Sequence, residues 1–124
     1  MSKFSRSMLA CKLSADQTAS RTFSLAAANR SLALVRLDKH ELALDDIELA
    51  LESGYPEENR YKLLERKGKC YLQLAQYRQA HQCLKEALVS ITQSDNPDQE
   101  KLKSKLNIQK ELETVNKGSI FNYL

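Results

Sequence analysis

The chain has 124 residues, a net charge of +3, 42% hydrophobic and 6% aromatic residues, no Trp, and only 3 Gly and 2 Pro. So few turn-formers argue against an all-β fold, and so mild a charge does not imply a nucleic-acid partner. Cys11, Cys70 and Cys83, odd in number and without close-paired spacing, exclude a disulfide-framed secreted domain.

Ala, Leu, Glu, Lys, Gln and Arg dominate, and these are strong helix formers, so an all-α protein of about six helices is expected. Residues 3–13 place Phe4, Met8 and Cys11 on one helical face, and Ser14-Ala15-Asp16 reads as a break. From Ala19 to Leu37 a helix is expected, with Phe23, Ala26, Ala27, Arg30, Leu34 and Leu37 recurring at spacings of three and four. After a turn at Asp38-Lys39-His40, a helix from Glu41 to Ser53 carries Ala43, Leu44, Ile47, Ala50 and Leu51. Its other face, with Asp45, Glu48 and Glu52, is expected to be solvated, and Gly54 ends it by accepting the left-handed conformation.

Pro56, Glu57 and Glu58 suit the first turn of the next helix, which runs to Leu74. Inside it sits Gly68, and a mid-helix glycine costs about 1 kcal/mol against alanine, which marks close helix contact. A turn at Ala75-Gln76-Tyr77 leads to a helix over 78–92. Cap chemistry around Pro97 predicts a last helix to Asn116, with Leu102, Leu106, Ile108, Leu112 and Val115 as its apolar stripe. Gly118 is expected to end it, and the apolar tail SIFNYL has no place in the pattern.

Charge is distributed unevenly: residues 21–60 carry −3 and residues 61–92 carry +4. The chain also repeats itself. An offset of 37 residues lays Ser31 on Gly68, Leu34 on Tyr71, Leu37 on Leu74, Ala43 on Ala80, Ile47 on Leu84, Ala50 on Ala87 and Leu51 on Leu88. Each match is small on small or apolar on apolar, as in helical solenoids whose units bury a face only against their neighbours.

The order of residue types resembles the tetratricopeptide (TPR) repeat, with one repeat over 24–57 and another over 61–94 within 19–94. The resemblance puts small residues, Ser31 and Gly68, where the two helices of a repeat cross, and Leu34 and Tyr71 between units. Ala43, Ala80, Ile47, Leu84, Ala50 and Ala87 complete the repeat core. It also implies that residues 1–18 are the remnant helix of a preceding repeat and 95–124 a capping helix and tail.

In TPR arrays the first helices of the repeats line a concave groove. Carried over, that geometry places Asn29, Leu32, Val35 and Arg36 there from the first repeat, and Lys62, Arg66, Lys69, Leu72 and Gln73 from the second. Lys62, Arg66, Lys69 and Gln73 share one helix face on their spacing alone. Asn29, Lys62 and Arg66 match three elements of the carboxylate-clamp TPR subclass. That resemblance implies capture of the acidic C-terminus of a heat-shock chaperone through charge-assisted hydrogen bonds. The competing reading is a solvated basic face, paired with Glu65 or Glu58.

The runs ANRSLAL and GYPEENRYKLLERKGKC are similar to the TPR region of SET and MYND domain-containing protein-lysine methyltransferases. That family adds a zinc-binding MYND module and an S-adenosylmethionine-dependent SET domain. The sequence at hand has neither the dense Cys/His array nor the SET motifs, so the resemblance implies an interaction part without catalytic residues or a cofactor of its own. Cys70, His81 and Cys83 fit no closed zinc spacing, and neither His40 nor His81 has an orienting third group for a Cys–His nucleophile. Tyr71 and Tyr77 are expected in inter-helix packing rather than base stacking, and no Gly-rich phosphate loop exists. With no leader and no ~20-residue apolar run visible, an intracellular protein in cytoplasm or nucleus is expected, with a protein partner and no membrane; a nucleic-acid-binding helical repeat using the same basic face is the weaker alternative.

Overall fold

The computed structural model describes residues 10–93 and 97–123. These form five α-helices: α1 (Ala10–Arg36), α2 (His40–Glu52), α3 (Arg60–Gln73), α4 (Tyr77–Thr92) and α5 (Gln99–Tyr123), with a 3₁₀ turn, Glu57–Asn59, before α3. There is no strand among the described residues. The protein is an all-α array of helical hairpins: α1 packs on α2, α3 on α4, α2 on α3, and α5 on α4.

The 37-residue offset holds at the level of single hydrogen bonds. At the first hairpin turn the Lys39 N–H donates to the Leu34 carbonyl at 2.9 Å and that of Asp38 to Val35 at 3.0 Å. At the second, the Gln76 N–H donates to Tyr71 at 2.9 Å and that of Ala75 to Leu72 at 3.0 Å. Both are Schellman closures, in which the residue after the helix turns left-handed to satisfy the last carbonyls. That residue is Asp38 at φ 61° and Ala75 at φ 58°, not glycine in either case. Gly54, at φ 95°, follows α2 where a left-handed residue was expected.

The core lies in two clusters that share α3. Ala27, Ala28, Ala43, Ile47, Ala50, Leu63 and Cys70 join α1, α2 and one face of α3. Tyr61, Leu64, Ala80, Leu84, Ala87, Ile91, Ile108 and Val115 join its other face to α4 and α5. Leu34 and Tyr71 are partly buried against these clusters, and Ser31 is fully buried. A Cβ on Gly68 would lie 2.7 Å from both Cγ and Cδ2 of Leu84, so the glycine lets α3 and α4 touch.

Several boundaries differ from expectation. The helix α1 runs unbroken through Ser14-Ala15-Asp16, so the boundary expected at 18/19 falls inside a helix. Ser and Asp lower helix propensity by only about 0.5 kcal/mol each, too little to stop a helix without Pro or Gly. Phe4 and Met8 lie outside the described residues, as does 94–96. The last helix likewise passes through Gly118 to Tyr123, since one glycine costs about 1 kcal/mol and does not by itself end a helix. Its start is capped: Asp98 Oδ1 accepts the Lys101 N–H at 2.9 Å.

Two apolar stripes are also rotated from their expected phase. Over residues 19–36 of α1 the buried residues are Ser24, Ala27, Ala28 and Ser31, while Phe23, Ala26 and Arg30 are exposed. The Ser24 hydroxyl donates to the Ala50 carbonyl at 2.6 Å, which makes a serine at home in the core. On α5, Ile108 and Val115 are buried but Leu102 and Leu106 are exposed.

Candidate functional site

The helices α1, α3 and α5 are tied together on one side by the polar residues of α3. Lys62, Arg66, Lys69 and Gln73 stand on one face of that helix because residues four and seven apart fall on the same side. Of the four, Lys69 and Gln73 are exposed and Lys62 and Arg66 half-buried, and Asn29 is exposed on α1.

Each cation of the row has a partner in the fold. Lys62 pairs with Glu100 in the first turn of α5, and the same carboxylate accepts the Tyr61 hydroxyl at 3.3 Å. That pairing holds Glu100 below the usual carboxylate range. Lys69 lies 3.4 Å from Glu65, one turn earlier on α3, and 3.9 Å from Glu111 on α5. Arg66 reaches the other way: Nη1 donates to the Ala28 carbonyl at 3.0 Å and to the Ser31 hydroxyl at 3.1 Å. It therefore sits beside the turn of α1 that carries Asn29. Burial lowers the Arg66 pKa from its ordinary value.

Glu111 is the least comfortable group of the set. Burial raises its pKa to about 7, the neighbouring Glu65 adds to the rise, and Lys69 opposes it. Its Oε1 is buried without a hydrogen-bond partner among the described residues. The two lysines of the row are thus already met by carboxylates, two of them borrowed from α5, while Arg66 is held by α1. Chemically the row can hold carboxylates.

On the acidic face of α2, Asp45 and Glu52 are exposed as expected and Glu48 is half-buried. Asp46 is buried and takes a bidentate grip from Arg30, whose Nε and Nη2 each donate at 2.8 Å. Glu48 pairs with Lys67 across the α2–α3 contact. Neither pair was visible in the sequence, because each joins residues on different helices. Cys70 and Cys83 are buried, free thiols, and burial pushes Cys83 up to about 11, so it stays protonated at neutral pH. Tyr71 and Tyr77 pack against the second core cluster. Among the described residues no helix is long and apolar enough to cross a membrane.

No family model matches the chain, and no solved structure does. Curated proteins do. Protein-lysine N-methyltransferase SMYD4 of Mus musculus is 39% identical over 69 residues, 56% of this chain and 9% of the mouse protein. The SMYD4 proteins of Pongo abelii and Homo sapiens are each 40% identical over 63 residues, 51% of this chain and 8% of theirs. The chain therefore covers less than a tenth of the length of these relatives.

Proposed function

We propose that the chain is a TPR-type protein-interaction module and that its α3 face captures an extended peptide ending in carboxylates, such as the acidic tail of a heat-shock chaperone. The observation that carries the reading is the cation row of α3, whose Lys62 and Lys69 already bind the carboxylates of Glu100 and Glu111. A peptide carboxylate would exchange with these internal ones. At Lys62 and Glu100, exchange of one exposed ion pair for another costs little, since such pairs contribute about 0–1 kcal/mol each. Arg66, anchored to α1, would align the peptide beside Asn29, and Gln73 would donate a neutral hydrogen bond further along.

A titration tests this. An acidic peptide with a free C-terminus should bind, and Lys62→Ala and Lys69→Ala should each weaken it by about 5- to 20-fold. Lys103→Ala, exposed on α5, should leave it unchanged. Equal affinities across the three variants would end the groove reading.

The similarity to SMYD4 supports a second, compatible reading: the chain corresponds to a non-catalytic repeat region of a SET and MYND-type lysine methyltransferase, working in cytoplasm or nucleus. On that reading the chain binds no cofactor of its own. Transfer of a methyl group from S-adenosylmethionine to a protein lysine by this chain alone would contradict it.

A further inference from the structure

One lysine of the α3 row is shared by two carboxylates. Glu65 Oε2 lies 3.4 Å from Lys69 Nζ and Glu111 Oε2 lies 3.9 Å from it, so the three charges do not cancel. The other oxygen of Glu111, Oε1, is buried with no hydrogen-bond partner among the described residues. The cluster is also layered. The side chains of Glu65 and Glu111 are 11% and 22% exposed, against 49% for Lys69, so an arriving carboxylate meets the lysine first. Burial and a neighbouring negative charge both favour the neutral form of Glu111, and Lys69 alone favours its charged form. A ligand carboxylate at Lys69 draws that support away and adds a further negative charge. Glu65 holds the shorter contact, so Glu111 is the acid that gives way.

We propose that Glu111 is a proton gate on the α3 face: the peptide carboxylate displaces it from Lys69, and Glu111 takes up a proton from solvent as it is displaced. The inference rests on the peptide reading above and adds that capture is coupled to pH. By linkage the coupling is reciprocal, so proton and peptide each strengthen the binding of the other. The charges acting at Glu111 are those of Lys69 and Glu65 on α3; among the described residues no charged group of α4, the other helix packed on α5, acts on it. With a midpoint at about 7, Glu111 passes from roughly one-tenth to roughly nine-tenths ionised between pH 6 and pH 8. Peptide carboxyl groups titrate near ~4 and stay ionised throughout that interval. Capture should therefore weaken by about 5- to 10-fold as pH rises across it.

Calorimetric titration of the full chain with a synthetic peptide ending in two acidic residues and a free C-terminus tests it, at pH 6 and at pH 8. The wild type should bind more tightly at pH 6 by the factor above. At pH 7, two buffers of different ionisation enthalpy should report uptake of about half a proton per peptide bound. Glu111→Gln, a neutral side chain of the same shape, should bind at pH 8 as the wild type does at pH 6, with no pH slope and no proton uptake. It keeps His40 and His81, so a slope that came from either histidine would survive in it. Glu113→Gln, exposed on the same helix, should keep the wild-type slope, and circular dichroism should show unchanged helix in both variants. Peptide binding of equal strength at the two pH values, or a Glu111→Gln protein that retains the slope, overturns the gate and leaves the peptide reading standing. No binding at either pH overturns both.

Discussion

Replacing Gly68 by alanine sets two effects of known size against each other. Alanine favours a helix over glycine by about 1 kcal/mol, so on an open helix the change would stabilise. Here the new Cβ would meet Leu84 Cγ and Cδ2 at 2.7 Å and the Ala80 carbonyl at 3.5 Å. Leu84 is fully buried among Tyr61, Ala80, Ala87 and Ile91, so it cannot swing aside without disturbing the second core cluster. Overpacking of that kind costs about 1–3 kcal/mol before the propensity gain is subtracted. The expected result is a net loss of about 1 kcal/mol, seen as a melting temperature lower by roughly 3–5 °C. Urea denaturation followed by circular dichroism measures it. A companion Leu84→Ala, costing about 2–5 kcal/mol alone, should make the Gly68 change neutral or favourable in the double variant. A Gly68→Ala protein more stable than the wild type would refute the idea that α3 and α4 touch at this glycine.

Other outcomes follow from the same geometry. Ala75→Gly should stabilise the fold by about 0.5–1 kcal/mol, because Ala75 sits at φ 58° where glycine has no steric penalty, and thermal melts will show the sign. Arg66→Met should destabilise by about 1–2 kcal/mol by removing the donor to Ala28 and Ser31, in contrast to Lys103→Met, which should be neutral in chemical denaturation. Glu111 has a folded pKa near 7, above its unfolded value, so the folded state holds the extra proton. Stability is therefore expected to fall as pH rises from about 4.5 to 7, by about 1 kcal/mol once partial solvent screening is allowed for. Glu111→Gln should flatten that slope in melts taken across the range. Glu100 acts in the opposite direction and a different window: its lowered pKa supplies stability that is lost as pH falls below the ordinary carboxylate range.

The repeat was readable because its signal is made of size, and size is local. Ser31 and Gly68, Ala43 and Ala80, Ile47 and Leu84 all stand in the core where the offset puts them. Gly54 likewise announced its own left-handed turn. Helix phase was less readable on α1, where Ala19, Ala26, Ala27, Ala28 and Ala33 supply small apolar residues all round the helix. With no polar contrast between faces, Phe23 and Leu34 were grouped on one stripe although only Leu34 packs inward. The break at 14–16 failed for a related reason, since weak helix formers in a row do not stop a helix that has no Pro or Gly. For the cation row, spacing gave the shared face of Lys62, Arg66 and Lys69 but not their partners. Glu100 and Glu111 lie 38 and 42 residues from the lysines they meet, and only the packing of α5 brings them there.

The central claim is that carboxylates are captured on the α3 face, and backbone amide shifts of the isotope-labelled chain, followed during titration with an acidic C-terminal peptide, test it most directly. The account predicts saturable shifts centred on Lys62, Arg66, Lys69 and Gln73, spreading to Asn29 on α1 and to Glu100 as its lysine is taken over. Saturable shifts confined to α4 or to the outer face of α1, or none at all, would contradict it.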